Sequence, residues 1–407
     1  MLSILTREKS KRIYPRQFWV LFCGVFLNRT SFSLVWPFLT VFLTQQVGLS
    51  LTTVTLLISL RSISSLVATS FVAPLMDRFG RKAAMIIGMG SSAVLFVVMS
   101  QAQALWLWAL LMIAHGIVMP MFNIGVYSMV ADIIEPEHRT SAYALIRVVA
   151  NAGIAVGPII GGLLITISFS SIFLVTAIGF MALALLIYTF VPETNTRAGV
   201  KQKNERAGYG FLLQDRMFLG FIGAFFFTEM ASVHMFTLLN VYLTNEFSML
   251  PSQYSLLVTI NAVMVVFFQY GMTRYTNRYS PYKVMALGSL VYFAGILSVA
   301  FGSTFAHFAI SMVIVTLGEL IVSPTALTLV ANHAPADMRA RYMGVLEIMY
   351  PLATGIGPVI GGFLNDNVAP VAMWYSAAAM TMIGAVWFFW LARGMRKQKE
   401  IDYRTED

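Results

Sequence analysis

The sequence predicts an all-α integral membrane protein of twelve transmembrane helices, arranged as two parallel six-helix repeats. Of its 407 residues, 58% are hydrophobic and 11% are charged, whereas soluble domains carry roughly 25% charged residues. Apolar stretches of about 20 residues, the length that crosses a bilayer, recur along the chain. The second half also repeats residue types of the first half at an offset of 200 positions.

Twelve apolar stretches are separated by short polar turns. The predicted helices of the first half cover residues 17–44, 52–76, 82–100, 104–131, 139–166 and 170–191. Those of the second half cover residues 216–245, 252–275, 282–302, 305–331, 338–365 and 370–394. The first stretch is too long for a signal-peptide core, so we expect it to be retained as helix 1. The single cysteine, Cys23, excludes a disulfide framework.

Basic residues lie on one side of the predicted topology. Of 27 lysine and arginine residues, 24 fall in the N-terminal segment, alternate loops, the central linker and the C-terminal tail. The other three, Arg29, Arg61 and Arg147, lie inside predicted helices. This asymmetry follows the positive-inside rule, so both termini and the linker are predicted to be cytoplasmic. The positive charge therefore indicates topology and not a nucleic-acid partner.

An internal repeat divides the chain into homologous halves. Residues 157–162 read Gly-Pro-Ile-Ile-Gly-Gly, and residues 357–362 read Gly-Pro-Val-Ile-Gly-Gly. An even number of helices in each half gives both halves the same orientation, as in parallel repeats. We predict an N-terminal six-helix half over 1–191, a cytoplasmic linker over 192–215, and a C-terminal six-helix half with a cytoplasmic tail over 216–407.

The loop between predicted helices 2 and 3 carries a charged signature. Residues 75–82 read Leu-Met-Asp-Arg-Phe-Gly-Arg-Lys. With the twelve helices and the repeat, this segment resembles the loop signature of the major facilitator superfamily, although Ala73 replaces its first glycine. The resemblance implies a gating loop made of Asp77, Arg78, Gly80 and Arg81. A carboxylate near a helix end can accept bonds from backbone amides and basic side chains, so we expect Asp77 to form a cytoplasmic latch. The alternative is a charged turn that only sets topology.

Predicted helix 5 carries a glycine-rich motif. Residues 153–162 resemble the antiporter motif of the superfamily's drug and proton exchangers. The matching positions are Gly153, Gly157, Pro158, Gly161 and Gly162. Small residues at this spacing allow close helix contact, and we expect a packing groove between the halves. Helix 4 departs from the family, because Met112 stands where an arginine is usual, and the proton-coupling role of that arginine is not carried over.

Six charged residues lie deep within predicted helices, where a central charge costs at least ~2.5 to 3.5 kcal/mol on insertion scales. They are Arg29, Arg61, Arg147, Glu229, Glu319 and Glu347. Arg29 and Glu229 occupy repeat-related positions, as do Arg147 and Glu347, which suggests compensation between the halves. Arg61 and Glu347 lie at the same depth, about 13 Å from their helix starts at 1.5 Å per residue. We expect these two to form a structural ion pair.

The resemblance places helices 1, 4, 7 and 10 around a central cavity. Glu319 on helix 10 has no obvious partner in the sequence. An acid in apolar surroundings favours its neutral form and can load and release a proton, so Glu319 is the main candidate for proton coupling. We expect His115 and His234 to be buried hydrogen-bonding residues; the alternative is that they relay protons. Phenylalanine and methionine on the cavity helices favour bulky amphipathic substrates, while asparagines there would suit a polar solute.

The sequence lacks a metal-ligand cluster, a nucleotide-binding loop and a nucleophile constellation, so neither an enzyme nor a cofactor is expected. The resemblance implies a secondary transporter that works by alternating access and uses an ion gradient. We expect proton-coupled export of amphipathic drug-like or other small molecules; the alternative is a carrier for a polar metabolite such as a sugar. The expected partners are a small-molecule substrate and the lipid bilayer, with a monomeric protein in the inner (plasma) membrane.

Cysteine labelling tests the predicted topology. In a Cys23→Ser background, cysteines introduced at Ser50 and Ser303 should react with an impermeant thiol reagent added outside intact cells, because both positions fall in loops without basic residues. A cysteine at Asn204, in the basic linker, should be protected. Labelling of position 204 in sealed cells would reverse the orientation.

Overall fold

The computed structural model describes residues 14–194, 212, 214–335 and 338–406. It does not describe the side chains of residues 73, 74, 77, 136, 137, 140, 141, 144, 339, 340 and 395–406. Most of the predicted linker, with Asn204, and the basic N-terminal segment therefore lie outside the described residues. So does the side chain of Asp77, whose backbone belongs to a helix.

Twelve helices in the described part of the chain are long and apolar enough to cross a membrane, which confirms the predicted number. Those of the first half are α1 (Arg16–Gln45), α2 (Leu51–Phe79), α3 (Arg81–Met99), α4 (Leu105–Ile133), α5 (Pro136–Ile165) and α6 (Phe169–Phe190). Those of the second half are α7 (Arg216–Phe247), α8 (Pro251–Thr276), α9 (Pro281–Val299), α10 (Phe305–His333), α11 (Arg339–Asn367) and α12 (Ala372–Glu406). The fold is all-α over the described residues.

Two helices differ from their predicted form. α1 contains a 3-10 turn at Trp36–Phe38 before it resumes over Leu39–Gln45. Pro37 lacks the N–H that would continue the α-helical bonding, which accounts for the interruption. α12 continues to Glu406, beyond the predicted end at residue 394. Hydropathy marks the segment that crosses the membrane, whereas the helix itself extends into the charged tail.

The chain forms two compact units. Unit 1 comprises Met1–Gly48, Leu60–Val200 and Pro251–Ala262, and unit 2 comprises Leu49–Ser59, Lys201–Leu250 and Val263–Asp407. The units therefore differ from the predicted halves in two short segments, because the start of α2 belongs to unit 2 and the start of α8 belongs to unit 1. In unit 2, the N–H and the hydroxyl of Thr52 on α2 both donate to Asp366 Oδ2 on α11, each at 2.7 Å.

The antiporter-type motif forms a close seam between α5 and α1 inside unit 1. A Cβ added at Gly153 would lie 2.8 Å from the carbonyl oxygen of Phe26, and one added at Gly157 would lie 2.7 Å from that of Thr30. Gly161 approaches the carbonyl oxygen of Leu34 in the same way. The prediction of a groove between the two halves was thus wrong for these three glycines, because they pack against α1 within one half. Small residues were needed because two helix backbones meet there.

Gly162 faces the start of α8 instead. A Cβ at this position would lie 3.3 Å from Cα of Ser252 and would overlap the hydroxyl of Ser255. In unit 2 the repeated motif behaves alike: a Cβ at Gly357 would lie 2.9 Å from the carbonyl oxygen of Met230 on α7, and one at Gly362 would lie 2.9 Å from that of Leu51 on α2. The repeat thus preserves the packing roles of Gly157 and Gly162 at Gly357 and Gly362, whereas Ala353 stands at the position related to Gly153.

Adding a single methyl group tests the seam. Gly157→Ala should destabilise the protein by about 1 to 3 kcal/mol, because the new Cβ overlaps the α1 backbone. Gly90→Ala on α3 is the matched control, since no atom lies within 4 Å of a Cβ built there. That change should be neutral or stabilise by up to about 1 kcal/mol through helix propensity. Thermal unfolding in detergent would measure both, and equal midpoints for the two variants would contradict the seam.

Candidate functional site

Arg29 brings a positive charge into the interior of unit 1. Its half-buried side chain extends from α1, and Nη2 donates to Oδ1 of Asn123 on α4 at 3.3 Å. The amide oxygen holds the guanidinium in place between two helices that the superfamily resemblance assigns to the cavity.

Arg61 is packed among aromatic and sulfur groups. The side chain, on α2, is buried. Its guanidinium carbon lies 4.0 Å from the ring centre of Trp36 and 6.0 Å from that of Phe32, and Nη1 lies 3.2 Å from Met119 Sδ. A cation over an aromatic face gains about 2 kcal/mol when water is excluded. Such packing stabilises the charge inside unit 1; the pairing of Arg61 with Glu347 stays a prediction.

His115 extends the same aromatic cluster. Its ring is buried, stacks parallel to that of Phe32 at 6.2 Å, and meets Phe96 edge-on at 5.3 Å. Arg61 lies within electrostatic reach of this imidazole. The surroundings are those of a packing residue, in line with the prediction that His115 is buried.

Three carboxylates come together in unit 2. Glu229 on α7 lies within electrostatic reach of both Glu319 on α10 and Glu347 on α11. Glu229 and Glu319 are partly buried, whereas Glu347 is exposed. Sequence reasoning treated Glu319 as an acid with no obvious partner and assigned the other two to arginines. All three acids lie in one unit, because α7, α10 and α11 belong to the same half. The predicted pairing of acids with arginines stays a prediction.

Tyr292 on α9 joins this acid cluster, defined as Glu229, Glu319 and Glu347. The ring is buried beside Gly318, where a Cβ would lie 2.9 Å from it, so glycine at this position leaves room for the tyrosine. The Tyr292 hydroxyl lies 3.4 Å from that of Ser232 and within electrostatic reach of Glu229 and Glu319. No motif in the sequence pointed to Tyr292, which reaches the acids only through helix packing.

His234 and Arg147 are the remaining ionisable residues that the sequence singled out. His234 is buried on α7, and Nδ1 lies 3.0 Å from the carbonyl oxygen of Met230. Its Nε2 has no hydrogen-bond partner among the described residues. This confirms that His234 is buried, with one of its ring nitrogens hydrogen-bonded. Arg147 on α5 has an exposed side chain, and the compensation of its charge by Glu347 at the repeat-related position stays a prediction.

An apolar groove of about 370 Å³ lies between α2 and α4 in unit 1. It is lined by side chains of α2 from Ile63 to Leu75 and by Ile117 and Met121 of α4. The hydroxyl of Ser64 at its edge donates to the carbonyl oxygen of Leu60 at 2.7 Å, so it is already bonded. The groove therefore offers an apolar surface to an apolar group.

A carboxylate other than Asp77 caps the helix after the signature loop. Gly80 has a φ of 96°, which favours glycine, and α3 begins at the next residue. The Glu193 carboxylate, just after α6, accepts from the backbone N–H of Arg81 at 3.1 Å and of Lys82 at 3.0 Å. Negative charge at a helix N-terminus is stabilising. Glu193 thus caps the start of α3, and the predicted role of Asp77, whose side chain lies outside the described residues, stays a prediction.

Arg81 links the same loop to α4. Its guanidinium forms an ion pair with Asp132 and donates to the carbonyl oxygen of Ser128 at 3.0 Å. Arg78 is exposed, with its guanidinium 5.3 Å from the ring centre of Phe79. The contacts of Gly80, Arg81, Asp132 and Glu193, here called the latch of unit 1, join three helix ends. These contacts show which side chains join the loop to neighbouring helices, whereas a latch formed by Asp77 stays a prediction.

Twelve helices long and apolar enough to cross a membrane, in two repeated halves, define a polytopic membrane protein. The family model of the Major Facilitator Superfamily matches residues 21–242 and again residues 221–402. The chain belongs to this superfamily and is a transporter rather than an enzyme.

Relatives resemble the chain over most of its length. The Na(+), Li(+), K(+)/H(+) antiporter of Planococcus maritimus is 24% identical, and the match covers 83% of this chain and 86% of the antiporter. Multidrug resistance protein MdtH of Klebsiella pneumoniae (strain 342) is 24% identical, with 88% of each chain covered. The crystal structure of nucleoside transporter NupG has a TM-score of 0.75 at 14% identity and covers 92% of this chain and 99% of that one. That likeness extends to the fold alone.

Removal of the Glu193 cap tests the latch of unit 1. Glu193→Ala should destabilise the start of α3 by about 0.5 to 2 kcal/mol, the usual value of a cap. Hydrogen exchange at residues 81–84 should then accelerate about two- to thirtyfold, since 1.4 kcal/mol corresponds to a factor of ten. Glu135→Ala, which removes an exposed carboxylate that makes no capping bond, is the control. Unchanged exchange in Glu193→Ala would show that the cap is dispensable.

Proposed function

We propose that this chain is a proton-coupled secondary transporter that exports amphipathic drug-like small molecules across the plasma membrane by alternating access, with both termini in the cytoplasm. The observation that carries the proposal is the acid cluster of unit 2, supported by Tyr292. Ionisable groups inside membrane helices are costly and mark ion pathways by default.

Repulsion among the carboxylates gives the cluster its chemistry. Glu229 is repelled by both Glu319 and Glu347 when these acids are charged, and a proton bound to Glu229 or to a neighbour relieves that repulsion. A cationic substrate would relieve it equally well. Proton and cation thus compete for the same negative charge, which is the thermodynamic requirement for their exchange in opposite directions.

Relatives with printed activities agree with this proposal. The Planococcus maritimus protein exchanges monovalent cations for protons, and MdtH confers multidrug resistance according to their names. At 24% identity neither name transfers by itself. Both names nevertheless describe transport activities that the acid cluster could support.

Unit 1 offers surfaces for an apolar substrate. Trp36 and Phe32 are half-buried beside Arg61 and leave part of each ring uncovered. The apolar groove between α2 and α4 adds further apolar surface. Aromatic and flexible apolar walls adapt to varied ligands, so these features favour bulky amphipathic compounds over a single small polar solute.

A polar metabolite is the second candidate. Arg29 and Asn123, which hydrogen-bond to each other, would together offer donors to hydroxyl or carboxylate groups. The nucleoside transporter shares the fold, so the architecture is compatible with a polar solute.

Neutralisation of Glu319 tests the proposed coupling. Purified protein in proteoliposomes should move cationic dyes uphill when a pH gradient is imposed. Glu319→Gln imitates the protonated acid permanently, so uphill dye movement should fall at least about tenfold, and dye affinity should lose its rise with pH between about 6 and 8. Wild-type dye affinity should increase with pH, because deprotonation exposes the charge that binds the cation.

Two further variants make the experiment decisive. Glu246→Gln removes an exposed carboxylate near the end of α7 and should transport normally. Glu229→Gln removes another member of the acid cluster; full loss there, with uphill transport retained in Glu319→Gln, would assign the proton to Glu229. Failure of every dye to move, together with pH-driven uptake of a sugar, would favour the polar-metabolite carrier.

A further inference from the structure

Basic side chains are exposed at one end of unit 2, around the turn that joins α8 to α9. Arg274 lies in the last turn of α8, Arg278 in the connecting turn and Lys283 in the first turn of α9. Arg393 is exposed at the corresponding end of α12, a helix that packs against α9. We call these four residues the basic patch of unit 2.

Packing on α7 brings the end of α12 close to the start of α9. The ring of Phe221 on α7 lies 6.4 Å from that of Tyr282 on α9 and 5.8 Å from that of Phe388 on α12. Arg393 follows Phe388 by little more than one helical turn. Its guanidinium carbon lies 4.5 Å from the ring centre of Phe389, so the side chain lies along its own helix. The four cations thus share one end of the helix group α8, α9 and α12.

No carboxylate forms an ion pair with the basic patch among the residues that the structure describes. The sequence contains no aspartate or glutamate between Glu246 and Glu319, a stretch that includes α8, the turn and α9. Asp215, just before α7, lies within electrostatic reach of α9, but both of its oxygens accept hydrogen bonds from other groups of unit 2. The basic patch is therefore an exposed concentration of positive charge.

The repeat-related end of unit 1 carries carboxylates of its own. There Arg81 forms an ion pair with Asp132, and Glu193 accepts from two backbone N–H groups at the start of α3. The positions of unit 2 that correspond to these three residues hold Pro281, Asn332 and Arg393. Unit 2 thus lacks both carboxylates and has a cation in place of one of them. It keeps exposed cations at this end without the anions that accompany them in unit 1.

Aromatic and apolar side chains are exposed beside the basic patch. The rings of Tyr275 and Tyr279 lie 5.4 Å apart on either side of Arg278 in the sequence, and each residue is more than half exposed. Exposed apolar residues continue along the adjoining helices, namely Phe267 and Phe268 on α8, Leu287 on α9, and Phe389 and Trp390 on α12. Tyrosine is enriched at the level of the lipid headgroups. Cations next to an apolar surface match the two parts of a lipid, a charged headgroup and apolar chains.

We propose that the basic patch of unit 2 binds the phosphate headgroup of an anionic membrane lipid, whose charge takes the place of the carboxylates at the same end of unit 1. Guanidinium groups form bidentate hydrogen bonds with phosphate oxygens, and an ammonium group adds a point charge. The topology prediction assigns this end to the cytoplasmic side, where anionic lipids attract basic segments. The lipid site is separate from the acid cluster and requires no transported substrate.

Lipid titrations followed by native mass spectrometry test the proposal. Wild-type protein in detergent should bind one phosphatidylglycerol at least about tenfold more tightly than phosphatidylcholine, whose headgroup has no net charge. The triple variant with Arg274→Gln, Arg278→Gln and Arg393→Gln should lose this preference, because each basic residue near a lipid surface contributes about a factor of five. Arg16→Gln, which removes an exposed arginine at the start of α1, is the matched control and should keep it. An equal preference in the triple variant and the wild type would overturn the proposal.

Restoring a carboxylate gives a second, independent measurement. Arg393→Glu introduces the residue type that unit 1 has at Glu193, so the chain supplies its own negative charge and should repel the headgroup. The thermal midpoint of wild-type protein should rise with added phosphatidylglycerol, because a ligand that binds the folded state stabilises it by mass action. The midpoint of Arg393→Glu should not rise. The lipid-free midpoints of all variants check that each is folded, and an undiminished rise in Arg393→Glu would contradict the proposal.

Inorganic phosphate distinguishes a lipid from a soluble anion. It carries the same phosphate chemistry without acyl chains, so it should displace phosphatidylglycerol only at concentrations far above that of the lipid. Displacement at equal concentration would assign the basic patch to a soluble phosphate compound and would overturn the lipid as its occupant. None of these measurements involves dye transport, so this proposal and the proposed function fail independently.

Discussion

The bilayer interior offers no water to polar groups, and the rest of the structure depends on that constraint. Backbone groups are satisfied within the twelve helices, the simplest solution in hydrocarbon. Hydroxyl side chains are also satisfied within their own helix: those of Thr55, Ser92 and Thr316 donate to the carbonyl oxygen four residues earlier. Charged side chains cannot be satisfied by their own helix in this way. They must be held by neighbouring helices, so their positions dictate which helices meet and where chemistry can occur.

The central charges are separated by sign. Arg29, Arg61 and Arg147 belong to unit 1, and Glu229, Glu319 and Glu347 belong to unit 2. The repeat-related pairs at 29 and 229 and at 147 and 347 have opposite signs, so the halves diverged in charge while keeping their glycine seams. Aromatic rings and an amide stabilise cations in unit 1, whereas unit 2 places acids near one another. Both halves thus keep the same glycine packing, whereas the central cations lie in unit 1 and the central acids lie in unit 2.

The sequence was sufficient for the twelve helices, the repeat and the superfamily, because each leaves a local or periodic pattern. The intramembrane charges could be found for the same reason. Glu193 and Tyr292 could not be assigned their roles, because their contacts are distant in sequence. Glu193 lies 112 residues from Arg81, and Tyr292 lies 60 residues from Ser232. The glycine motif was recognised, but its partner was misassigned, since spacing indicates close contact without identifying the opposing helix. Orientation in three dimensions decides such contacts.

The short segments Leu49–Ser59 and Pro251–Ala262 pack with the compact unit that the other half mainly builds. This has a consequence for biogenesis. Thr52 is synthesised 314 residues before Asp366, which accepts both of its hydrogen bonds. The start of α2 must therefore wait in the membrane, without its final partner, until α11 has been inserted. Unit 1 likewise acquires its last segment only after translation has passed residue 262. Neither unit can therefore acquire all of its segments while the linker is still being translated.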